Sequence, residues 1–222
     1  IAYSGNTGGS QGPHLHYEIR DTKTDKVLNP LLFGMPIPDN IPPAVMRLAV
    51  YDRNKSTYEQ SPRLYPVKKV KGLFTTAPSV LLVPTDKVSF AITAVDRYTG
   101  STNQNGIYEA VLYDNNNPVA GFQIDSISYD ETRYMNAHVD FKAKANGGPW
   151  LQHLSRLPGY NNGIYKEVSG DGVIDLSDGG LHNIKVDVKD ADGNTTTVEF
   201  AIKSTGASSP VQSWAPLFKP GY

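Results

Sequence analysis

Apolar and polar residues alternate with a period of two through much of the chain. The run Val88-Ser89-Phe90-Ala91-Ile92-Thr93-Ala94-Val95 places Val88, Phe90, Ile92 and Ala94 on one face, because side chains two apart on an extended chain share a side. Residues 182–189 and 197–203 alternate in the same way. The inward set predicted from these runs is Phe90, Ile92, Ile184, Val186, Val188, Val198, Phe200 and Ile202. Between the last two runs stands Asp190-Ala191-Asp192-Gly193-Asn194, which predicts a hairpin. Further strands are predicted at 46–51, 108–113 and 119–124, with Asn- and Gly-rich turns such as Asp114-Asn115-Asn116-Asn117-Pro118. No segment sustains a helical period. The pattern predicts an all-β chain, with an antiparallel immunoglobulin-like β-sandwich over residues 44–203. The polar stretch at 146–162 exceeds a tight turn and is expected to be an elaborated loop or to hold a short helix.

The flanks read differently. Residues 1–34 open on a Gly-rich stretch, continue as a strand-like run from His14 to Arg20, turn at Asp21 to Lys26, and end in Val27-Leu28-Asn29-Pro30-Leu31-Leu32-Phe33-Gly34. Residues 35–43 are a Pro-rich linker, which favours a stiff extended connection. Residues 204–222 form a linker-like tail toward a further domain or a segment packed on the sandwich. There is no internal repeat.

Composition narrows the function classes. Lys and Arg number 21 against 22 Asp and Glu, a net charge of −1 that argues against non-specific nucleic-acid binding. No apolar run reaches the ~18 residues that span a bilayer, so no transmembrane segment is expected. Cysteine is absent, which excludes disulfides and thiolate zinc sites. The start at Ile1 is neither an initiator Met nor a signal peptide, so the chain is expected to be a piece of a longer polypeptide.

The chemistry concentrates in His14-Leu15-His16. On a strand the two imidazoles project together, while Leu15 and Tyr17 are free to enter a core on the other side. Taken alone, such a pair is a weak signal and reads more readily as two structural histidines than as a zinc centre. Its context carries more. The segment Gly5-Asn6-Thr7-Gly8, then Ser10-Gln11-Gly12-Pro13-His14-Leu15-His16-Tyr17-Glu18-Ile19-Arg20, followed by Asn29-Pro30-Leu31, resembles the last motif of the lysostaphin-like (LytM-like) zinc metallopeptidases. These bacterial enzymes cut peptide cross-links of peptidoglycan. The resemblance covers only the first 34 residues and implies a partial peptidase-core strand segment. It implies that His16 is a zinc ligand and that His14 is the catalytic histidine, acting as base or transition-state stabiliser. It implies a peptidoglycan peptide as substrate and a location in the bacterial cell envelope, periplasmic or secreted. The family's other two ligands, a His and an Asp, come from an upstream motif outside this chain. Zinc is therefore expected in the intact parent, and neither stoichiometric zinc nor activity in this fragment. Residues 1–34 are also expected to borrow support from the sandwich or from another copy. The region from Tyr129 to Phe141 looks like the accessory region that follows the peptidase domain in envelope proteins of Bacteroides-type bacteria.

Other candidates have plainer readings beside the functional ones. Glu18 shares the strand face of the two histidines and is either an orienting carboxylate or a solvated one. His138-Val139-Asp140 mimics a metal pair but reads as an ordinary strand pair. His153 reads as a surface residue and His182 as structural. The stretch Asp171 to Asp178 hints at a calcium loop, yet it lacks the full ligand pattern and reads as a turn-rich hairpin. Trp150 and the tyrosines could stack on wall sugars, or simply furnish core and edge strands. The alternative to a peptidase is thus a non-catalytic envelope-binding module with a degenerate peptidase remnant.

Overall fold

The alternating runs become strands, and their apolar faces meet. The structure is a computed structural model that describes residues 5, 6, 9, 11–35, 37–160, 162–167 and 169–206. Most of the tail expected at 204–222 lies outside the described residues, as do Ile1–Ser4, Thr7, Gly8 and Ser10 of the N-terminal segment and Pro36 of the linker.

The N-terminal arm contributes β1 (Ile19–Arg20), β2 (Val27–Leu28) and a 3-10 turn at Pro30–Phe33. The module then runs through β3 (Ala44–Asp52), β4 (Arg63–Val70), β5 (Leu73–Thr76), β6 (Val80–Val83) and β7 (Lys87–Val95). β8 (Glu109–Asp114), β9 (Asn117–Gln123) and β10 (Ser126–Ile127) follow. A helical insert comes next, with a 3-10 turn at Tyr129–Tyr134, α1 (Met135–His138) and α2 (Phe141–Ala145). The chain closes with β11 (Gln152–His153), β12 (Tyr165–Glu167), β13 (Ile174–Asp175), β14 (His182–Lys189) and β15 (Thr195–Ser204).

The chain is all-β in class. Among the described residues twelve strands form one curled sheet, and β4 turns its corner: Arg63–Pro66 pair with β3, whereas Val67–Val70 pair with β5. The two halves face each other across a common core. Phe90 on β7 meets Phe200 on β15 edge to face at 5.4 Å. All eight residues predicted to face inward are in this core. β14 keeps the cleanest alternation, with His182, Ile184, Val186 and Val188 buried and their neighbours at least partly exposed. Its turn into β15 uses Gly193 at φ +91°, a conformation glycine adopts without strain.

Three features depart from the sequence reading. Pairing is antiparallel except at β15, which runs parallel to β5 and β6 because the chain returns beside it after the β4–β5 hairpin. The polar face of β7 is covered rather than solvated: Ala49, Tyr51, Ala91, Ala143 and Leu151 form a second small core there. The small side chains of Ala49 and Ala91 let α2 and the following segment approach. The stretch 146–162 accordingly packs inward through Leu151, Leu154 and Leu157, and the helices precede it. Each helix is about one turn, too short to print a period on the sequence. Asp140 caps α2 by accepting from the Ala143 amide at 2.8 Å.

Gly172 holds the approach of two segments. It sits at φ +90°, and a Cβ there would lie 2.5 Å from the Leu154 carbonyl oxygen and 2.6 Å from Ser155 Cα. Gly172→Ala is therefore expected to cost roughly 1–3 kcal/mol, since both the backbone and the contact are strained. Urea denaturation of the variant measures this. A loss below the error of the fit would contradict the contact.

Candidate functional site

The arm that carries the two histidines is pinned at its base and open at its tip. β2 pairs with β1 on one side and with β10 of the module on the other, in the register Val27↔Ile127 and Leu28↔Ser126. Asn29 closes the junction: its amide donates to the Asp125 carbonyl at 2.8 Å and its side chain to the Ile124 carbonyl at 3.2 Å. The Asn29 side chain also accepts from Leu31, which starts the 3-10 turn. Asp125 is itself held by Tyr108, whose hydroxyl donates to its side chain. A cavity of about 530 Å³ lies between arm and module, lined by Val27, Leu28 and Leu31 on one side and by Tyr98, Ile107 and Tyr108 on the other.

Arg20 makes a second anchor. Its guanidinium lies 4.9 Å from the centre of the Tyr129 ring, donates to the Tyr129 hydroxyl at 2.8 Å, and pairs with Asp25 at 3.2 Å. It also donates to Glu18 at 2.7 Å. The carboxylates of Glu18 and Asp25 raise its pKa above the ordinary arginine value.

Upstream of these anchors the predicted strand is not formed. Only Ile19–Arg20 of the run 14–20 is strand, with a single bridge between Gly5 and His14. Leu15 is 87% and Tyr17 57% exposed, so neither enters a core. Among the described residues no strand flanks 15–18, and an extended segment without a paired neighbour has no apolar face to cover.

His14 and His16 are both exposed. The His14 ring Nδ1 lies 3.0 Å from the Gly12 carbonyl. His16 Nε2 lies 3.7 Å from Glu18, so this carboxylate bridges His16 and Arg20 rather than standing free in solvent. Among the described residues neither histidine belongs to a group of three converging metal ligands. The donor set on the arm thus fits as one imidazole ligand with a carboxylate behind it. A three-ligand zinc site needs more.

The remaining histidines sit elsewhere. His138 ends α1 instead of lying on a strand, and it is 1% exposed with Nδ1 at 2.9 Å from the Tyr165 hydroxyl. Burial, and secondarily His153, lower its pKa to about 3. His153 is also buried rather than superficial. It packs 4.9 Å from the Tyr51 ring, and burial followed by Arg53 lowers its pKa to about 4. Tyr51 in turn donates to Asp140 at 2.7 Å. These groups are sealed from solvent and brace the helical insert. His182 bridges Asp114 at 2.9 Å and Asp178 at 3.1 Å across the start of β14. In the stretch Asp171 to Asp178 each acid accepts from an amide two residues on, while β13 pairs with β7.

No protein-family model matches the chain, and no curated protein matches it.

Proposed function

We propose that this chain carries the C-terminal part of a zinc endopeptidase site that hydrolyses peptide cross-links of bacterial peptidoglycan in the cell envelope. The sheet module, read as immunoglobulin-like, would be its accessory domain. The observation that carries the reading is the His14-Leu15-His16 segment, displayed to solvent on an arm whose base is tied to the module. In this reading His16 holds the metal and Glu18 steadies its imidazole. Zinc, when bound, supplies a Lewis acid and an activated water. His14 moves a proton or donates to the developing oxyanion. A His and an Asp from upstream sequence complete the ligand set. The chain by itself is expected to hold no stoichiometric zinc and to cleave nothing.

A second reading makes the module a wall-binding unit. It is favoured by a surface cluster of tyrosines, in which Tyr160 lies 6.3 Å from Tyr58 and 6.0 Å from Tyr134, with Tyr58 half exposed. Such rings stack on sugars.

Incubating the upstream-extended protein with cross-linked peptidoglycan separates the two readings. The peptidase reading expects new amino termini, lost with a chelator and restored by zinc, and a changed rate when residues 44–203 are deleted. Wall binding without cleavage, with the upstream His and Asp substituted, would replace it with the second.

A further inference from the structure

Three carboxylates from distant parts of the chain converge at one end of the module. Asp39 lies in the Pro-rich linker, Asp96 follows β7, and Asp190 opens the β14–β15 turn. One oxygen of each lies within 4.8 Å of one from each of the others. Asp96 and Asp190 are each only 4% exposed. Among the described residues no Lys or Arg forms an ion pair with any of the three. Like charges this close repel, and burial adds to the cost of ionising them.

The hydrogen bonds hold the acids in place and leave particular oxygens over. Asp39 Oδ1 accepts from the Ile41 amide at 3.1 Å, and from the Thr99 amide and hydroxyl at 3.0 and 3.1 Å. Asp190 Oδ1 accepts from the amides of Asp192 and Asn194, both at 2.9 Å, and its Oδ2 from the Asn194 side chain at 2.7 Å. Asp39 Oδ2 and Asp96 Oδ1 are buried and accept no hydrogen bond. A buried ionised oxygen left without a donor is costly, and native structures rarely tolerate one. Two such oxygens on two members of one acidic cluster call for a positive partner.

We propose that Asp39, Asp96 and Asp190 bind a divalent cation of the calcium class, which ties the linker to the end of the module. The donor set is all oxygen, which suits a hard cation rather than zinc. Oxygens on one calcium are at most about 4.6–5.2 Å apart at the usual bond lengths, and the three oxygens of this cluster, all within 4.8 Å of one another, fall inside that limit. The ligands come from three segments, so the ion would fix Asp39, and with it the path from arm to module. The signal was present in the sequence only as Asp190-Ala191-Asp192-Gly193-Asn194, which also serves as a hairpin turn.

The test is calcium chloride titrated into the chelator-treated chain, followed by calorimetry and by thermal melting. One equivalent should bind, and the melting midpoint should rise by about 5–10 °C at calcium 100-fold above its dissociation constant. Asp96→Asn should weaken binding at least ten-fold and remove most of the shift. If that variant does not fold, Asp39→Asn in the linker carries the same expectation. His16→Ala should leave the calcium response intact, so this result stands apart from the peptidase reading. No binding at about 10 mM calcium, above the weakest range for extracellular modules, would overturn the proposal. So would variants that bind as tightly as the parent chain, or a magnesium response equal to that of calcium.

Discussion

Acidification from pH 8 to pH 5 is expected to destabilise the chain by about 4 kcal/mol through two buried histidines alone. His138 and His153 have folded pKa values lowered to about 3 and about 4 from an ordinary 6.5. The unfolded chain therefore binds protons on both as the pH falls below 6.5, while the folded chain does not. Their stabilising contribution is complete above pH 6.5 and is lost progressively toward the folded values. At pH 5 each has lost about 2 kcal/mol, being 1.5 pH units below the unfolded pKa. His182 works in the other sense. Its pKa is raised, since Asp114 and Asp178 outweigh its burial, so its contribution is full at low pH and is lost as the pH rises through the folded value. The groups packed on His138 and His153 include Phe122, Tyr165, Gln152, Tyr51 and Arg53, and none of these offers a carboxylate partner. Urea denaturation at the two pH values measures the loss. In the folded chain the proton resonances of His138 and His153 should not titrate down to pH 5. A midpoint near 6.5 for either imidazole would contradict the burial of these rings.

How much of this was legible in the sequence depends on whether the cause was local. The inward faces of β7, β14 and β15 could be read directly, because alternation is a local record of a half-buried strand. The inward position of His153 could not. Its burial follows from the pairing of β11 with β7 and from the helical insert above it, contacts remote in sequence. His138 looked like a strand residue because one turn of helix leaves no periodic trace. Leu15 and Tyr17 show the converse: an alternating apolar pair predicts a covered face only where a neighbouring strand is present to cover it. On the arm, the His-x-His pair was visible from spacing, but the Arg20–Tyr129 anchor and the β2–β10 pairing depend on residues far along the chain. The cluster of Asp39, Asp96 and Asp190 is assembled by topology, and no spacing rule links its members.

In the peptidase reading the largest expected effects on activity fall on the two arm histidines. In the upstream-extended protein His14→Ala should lower turnover roughly 10²–10⁴-fold, the usual contribution of a positioned acid–base group. The loss should appear in kcat more than in KM, because in the peptidase reading His14 assists the reaction and does not hold the substrate in its ground state. His16→Ala should remove activity altogether by removing a metal ligand. Glu18 stands 3.7 Å from His16, so Glu18→Gln should produce a smaller loss accompanied by weaker zinc retention. Full activity in both histidine variants would make the arm a structural element and end the peptidase reading.

Zinc content per chain, measured in the upstream-extended protein and in its two histidine variants, tests the central claim most directly. The peptidase reading predicts one zinc in the upstream-extended protein, one in His14→Ala and none in His16→Ala, since in that reading His16 is a ligand and His14 is not. Equal loss in both variants would contradict the division of roles, and no zinc in the parent protein would contradict the metal site itself.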